Sequence, residues 1–82
     1  MQRTPLHVGT EYDHIEVVKL LIASGADFNY QDSDGSTPLH IASQQGSINT
    51  LDYLIKETKI DLFAKNKYGQ IASDIAQNIS IR

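Results

Sequence analysis

The chain has 82 residues, which is enough for one small domain. Its net charge of −3 gives no basic footprint for a nucleic acid, and its lack of cysteine excludes disulfides, a thiol nucleophile and thiolate metal sites. Its longest apolar run, Val17 to Ala23, is broken by Lys19 and is too short to cross a membrane.

In chain order, Thr4-Pro5-Leu6-His7 comes first, and it returns 33 residues later as Thr37-Pro38-Leu39-His40. Thr is a good N-cap, and Pro at the first helical position loses no hydrogen bond because its missing N–H would be unpaired there. His7 and His40 then stand at the third helical position, from which a side chain reaches back to the cap. The spacing predicts short helices from Pro5 to about Tyr12 and from Pro38 to about Gln45. Asp13 and Gly46 occupy the same break, and both residue types visit the left-handed region.

Second helices are predicted from near Ile15 and near Ile48. In the first, only Glu16 and Lys19 are polar among residues 16–22, a face wide enough to be packed on both sides. In the second, Ile48, Leu51, Leu54 and Ile55 form a single stripe. Gly25 is placed to end the first of these helices. Lys56 to Lys59 replaces Ala23 to Gly25 with one extra residue, so later offsets become 34. Asp34-Gly35 and Tyr68-Gly69 supply turn tips. A period of this size means stacked supersecondary units. The units run over residues 4–36 and 37–70, with a partial one at 71–82.

The chain resembles the ankyrin-repeat family. The likeness rests on TPLH at Thr4 to His7 and at Thr37 to His40, EVVKLLI at Glu16 to Ile22, GADFN at Gly25 to Asn29, and the finger tip Asp32 to Gly35. It implies an all-α solenoid of helix-turn-helix units with hairpin-like finger loops, and a structural, hydrogen-bonding role for His7 and His40. Departures are Gly9 where unit two has Ala42, no helix-ending Gly in unit two, Phe63 in place of Asn29, and Ser73 in place of Leu6 and Leu39. Two full units with a first helix suggest a segment of a longer array, or one whose open ends self-associate. Ile75, Ile79 and Ile81 would then need something to pack against.

Chemistry finds little footing. His7 and His14 are seven apart with no Cys or carboxylate at a helical metal spacing, no Ser sits on a Gly-flanked elbow, and the five glycines are scattered. The expectation is a non-enzyme with no cofactor and no metal. The lysines Lys56, Lys59, Lys65 and Lys67 are interrupted by Glu57 and Asp61, which argues against nucleic acid.

Carrying over the family's contact positions gives a candidate partner surface of Arg3, Glu11, Tyr12, Ser33, Asp34, Ser36, Gln44, Gln45, Lys67, Tyr68 and Gln70. Tyr12 and Tyr68 are the expected hot spots, because Tyr is enriched among residues that dominate binding energy. Tyr53, in the place of Leu20, is expected to be a packed ring. Opposite charges on the two fingers are expected to attract weakly. The expected partner is another protein or another domain of the same polypeptide, with no nucleic acid and no membrane. The cysteine-free composition, with no charged-then-apolar start, suggests an intracellular, cytoplasmic setting.

Overall fold

The computed structural model describes residues 3–79, with side chains through Ile75. It contains α1 (Pro5–Glu11), α2 (Ile15–Ala23), α3 (Pro38–Gln45), α4 (Ile48–Glu57) and α5 (Ala72–Ile79). Among the described residues there is no strand. The fingers are hydrogen-bonded turns that run from α2 to α3 and from α4 to α5.

The repeated tetrapeptide works as a reciprocal cap. His7 N–H donates to Thr4 Oγ1 at 3.3 Å, and Thr4 N–H donates to His7 Nδ1 at 3.4 Å. Thr37 and His40 repeat the pattern at 3.4 and 3.1 Å. Two of the four N–H groups that a helix start leaves unpaired are thus reduced to local bonds. The far ring nitrogen reaches into the next finger: His7 Nε2 donates to the Ser36 carbonyl, and His40 Nε2 to the Gln70 carbonyl, each at 2.8 Å. A carbonyl can only accept, so Nε2 carries the proton and Nδ1 is left to receive the threonine N–H. Both rings are buried. In the third unit Asp74 keeps half of the device by accepting the Ile71 N–H at 3.1 Å.

The turn between α1 and α2 holds Asp13 at φ 55°, and the turn between α3 and α4 holds Gly46 at φ 70°. The conformation aims Asp13 at the start of α4. Its Oδ1 accepts Thr50 N–H at 2.9 Å and Thr50 Oγ1–H at 2.8 Å. Ser47, the residue at the N-cap of α4, makes no side-chain cap bond. Unit one therefore caps a helix of unit two, and places a negative charge at its positive end.

Gly25, at φ 99°, ends α2 in a two-bond Schellman turn: Gly25 N–H to Ile22 O and Ala26 N–H to Leu21 O, both 3.0 Å. In α4 the helix runs on to Glu57, and Thr58 takes over from the missing glycine. Its hydroxyl donates to the Leu54 carbonyl and accepts the Ile60 N–H.

The first helices α1, α3 and α5 stack in one layer, and α2 and α4 lie behind them in a second. Leu39, Leu54, Ile60 and Ala72 form a buried cluster, against which Ile22 and Phe28 of unit one pack. Val18 is fully buried on the same junction. The expectation that α2 is covered on both sides is not met. Val17 and Leu20 point away from α4, and Leu20 is 67% exposed. Their counterparts Thr50 and Tyr53 are covered to different degrees: Thr50 is fully buried, while the Tyr53 ring is half-buried with Lys19 Nζ 5.7 Å from its centre. Ile79 and Ile81 lie outside the described side chains.

Candidate functional site

Each finger is shaped by one short polar side chain. Asp32 Oδ1 accepts the N–H groups of Asp34 and Ser36, both at 2.9 Å. Asn66 Oδ1 does the same for Tyr68 and Gln70, at 2.9 and 3.0 Å. Such side-chain turns replace a backbone ladder with local bonds. The glycine that follows each tip, Gly35 at φ 74° and Gly69 at φ 75°, takes the left-handed step. At Gly35 the need is also spatial. A Cβ there would lie 2.9 Å from Lys67 N, because the second finger crosses at backbone contact.

The fingers are joined side by side. Lys67 N–H donates to the Asp34 carbonyl at 2.9 Å. The Gln31 side-chain amide donates to Gly35 O and to Lys65 O, both at 2.9 Å. Lys67 Nζ pairs with Asp34 Oδ1 at 3.1 Å, the attraction between fingers that the sequence suggests. The Asp34 carboxylate, with the Tyr68 hydroxyl nearby, holds the Lys67 ammonium above its ordinary pKa. The ammonium also lies 5.4 Å from the centre of the Tyr68 ring.

Below these tips lies an open groove of about 430 Å³ between the fingers and the first-helix layer. It brings together Asp34, Ser36, Gln44, Tyr68 and Gln70 from the predicted surface. It adds Asn66 and Ile75, which sequence reasoning did not select. Ile75 gives the groove an apolar floor. Asn66 donates to Gln70 Oε1 at 3.0 Å and so fixes that side chain in the wall. Ser36 is 9% exposed, and its carbonyl is taken by His7, so it shapes the groove more than it offers a contact. Tyr68 is the opposite case, at 68% exposed.

The remaining predicted residues fall outside this groove. Arg3 donates to Glu11 Oε1 at 2.8 Å and to Asp32 Oδ2 at 3.2 Å, which ties α1 to the first finger. Burial pushes the Asp32 carboxyl up, but the Ser36 and Asp34 N–H groups, Arg3 and the nearby His7 outweigh it and hold it below the usual carboxylate range. Arg3 and Glu11 thus satisfy each other before any partner arrives. Tyr12, Ser33 and Gln45 are exposed, with Tyr12 edge-on to His14 at 6.0 Å between ring centres.

Stacked helix pairs with crossing fingers, each pinned by a capping histidine, define a repeat scaffold. Residues 1–66 match the family described as ankyrin repeats (3 copies), and the chain belongs to the ankyrin-repeat family. Protein phosphatase 1 regulatory subunit 12A of Mus musculus is 42% identical over 73 residues, covering 89% of this chain and 7% of that protein. Target of rapamycin complex 2 subunit AVO2 of Saccharomyces cerevisiae is 32% identical over 81 residues, covering 96% of this chain and 19% of that protein. NF-kappa-B inhibitor alpha of Gallus gallus is 41% identical over 54 residues, covering 66% of this chain and 17% of that protein. The chain spans less than a fifth of the length of each of these relatives. Ankyrin repeats are protein-interaction modules, and the family is generally non-enzymatic.

Proposed function

We propose that the chain is a non-catalytic module that holds a protein partner between its finger tips and the concave face of its first helices, α1, α3 and α5. The observation that carries this reading is the groove in which Asp34, Ser36, Gln44, Tyr68 and Gln70 converge from two fingers and α3. Its walls are fixed by internal hydrogen bonds, so little side-chain entropy is lost when a partner docks. Tyr68 supplies a large amphipathic ring beside an ion pair, the residue type that dominates binding energy. Tyr12, Ser33 and Gln45 extend the surface along the same layer, and Arg3, Glu11 and Lys67 rim it. Neither nucleic acid nor membrane belongs to this reading, and its setting is the cytoplasm, which the cysteine-free composition fits.

The test is a quantitative pull-down with wild type, a Tyr12→Ala, Asp34→Ala and Tyr68→Ala triple variant, and a Lys56→Ala control on α4. A partner retained equally by all three refutes the surface assignment. Specific loss in the triple variant supports it.

A second reading is favoured by the uncovered side of α2, where Val17 and Leu20 stand exposed. Here the repeats are a regulatory segment of a larger polypeptide and rest against another domain of it. The chain alone would then be weakly stable. A cooperative thermal transition of a concentration-independent monomer counts heavily against this reading.

A further inference from the structure

The junction between the first two units shows how a helix is received. Unit one offers Val18, Ile22 and Phe28, and α4 lays its fully buried Thr50 and Leu54 against them. One repeat later the counterparts of the receiving residues are Leu51, Ile55 and Leu62. These line a second groove, of about 300 Å³, with Phe63 and with Ile71 and Ala72 at the start of α5. It lies on the far side of α4 and is separate from the polar groove beneath the fingers. Ile55 and Leu62 are 49% and 41% exposed, and Phe63 is 73% exposed. An apolar wall of this kind on a soluble surface marks a contact site.

Two substitutions between the junctions say what would sit there. The internal junction is anchored by Asp13 on Thr50, and by Asn29 Oδ1, which accepts the Asp61 N–H at 2.8 Å. At the open groove the counterparts are Gly46 and Phe63, and neither offers a side-chain acceptor. A hydroxyl at the position of Thr50 would have no partner, so the incoming helix needs an apolar residue there. This chain contains such a face: Val17, Leu20 and Leu21 of α2 are the counterparts of Thr50, Tyr53 and Leu54.

We propose that the groove lined by Leu51, Ile55, Leu62 and Phe63 receives an amphipathic helix of a protein partner, one that presents a Val-sized residue followed by leucines at i+3 and i+4. The recognition is helix-in-groove docking, and it is independent of the polar groove. A second copy of this chain does not fit in the same pose. Its α2 is packed on α1, and α1 is the counterpart of α5, so α1 would fall on α5 itself.

The probe is a helix-stapled, fluorescently labelled peptide of residues 14–26, titrated with the full 82-residue chain by anisotropy. Saturable binding is expected. Ile55→Glu in the chain, or Leu21→Glu in the peptide, should weaken it at least tenfold. The α4 peptide of residues 47–60 should bind less well than the α2 peptide. Tyr68→Ala should leave binding unchanged, which separates this site from the finger groove. An unchanged melting transition shows that Ile55→Glu still folds. Absence of saturable binding, or binding indifferent to Ile55→Glu, overturns the proposal. So does a dimer in sedimentation equilibrium that Ile55→Glu abolishes, because a second copy would then be the occupant.

Discussion

Replacing Gly9 with alanine should stabilise the protein. Gly9 lies inside α1 with ordinary helical backbone angles, unlike the other four glycines, which all have positive φ. Alanine there gains about 0.8–1 kcal/mol of helix propensity. A Cβ would stand 3.5 Å from Val18 Cγ2 and 3.6 Å from Val17 Cγ1, ordinary contact distances that require no movement. The site is buried, so the methyl adds apolar contact and meets no polar group. The expected net gain is about 1 kcal/mol, equivalent to a rise in Tm of roughly 4–8 °C for a domain of this size. Thermal melts followed by circular dichroism, with urea titrations at a constant m-value, measure it. A Tm at or below that of the wild type would refute the reasoning. It would mean that α1 and α2 are packed more tightly than these distances state, or that the glycine's flexibility is required.

Gly35→Ala should act in the opposite direction. It combines a left-handed φ with a 2.9 Å approach to Lys67 N, so a loss of about 2–3 kcal/mol is expected in the same melts. His40→Ala strands Thr37 N–H and the Gln70 carbonyl in a buried site. It should cost about 3 kcal/mol by urea titration and speed amide exchange at the second finger. Acid should weaken the fold through Asp13 and Asp32. For Asp13 burial acts upward, but bonds from Thr50 and Asn49 hold its carboxyl below the ordinary value, as for Asp32. A carboxyl with a depressed folded pKa contributes stability above its unfolded pKa of about 3.9, and that contribution is lost as pH falls through the folded value. The urea midpoint should therefore drop below about pH 4, and an Asp13→Asn, Asp32→Asn double variant should show a flatter profile. In a binding assay Tyr68→Ala alone should weaken partner affinity by about 2 kcal/mol, roughly 30-fold.

Local chemistry made the scaffold legible. Thr4, Pro5 and His7 act on one another within four residues, so their roles follow from spacing, and Gly25 likewise announces its Schellman turn. The Asp34–Lys67 attraction was readable because the fingers repeat in register. What escaped reading joins distant residues. Asp13 looks like a residue tolerant of a left-handed turn, and nothing local shows that it caps a helix through Thr50, 37 positions away. Ile75 joins the finger groove only because α5 stacks on α3. The apolar breadth of α2 indicates two coverable sides, but a side chain pattern records what can be buried and not whether a neighbour is there to bury it.

The histidine links carry one more consequence. His7 and His40 each bond a main-chain oxygen, that of Ser36 in one case and of Gln70 in the other. Any residue can supply that oxygen, so the bond that locks each helix to the following finger is blind to the side chain at its far end. Positions 36 and 70 line the polar groove and also complete the scaffold. The two duties fall on different atoms of the same residue. Ligand preference can therefore drift at these positions, by mutation or by exchange of whole units, while the architecture is inherited unchanged.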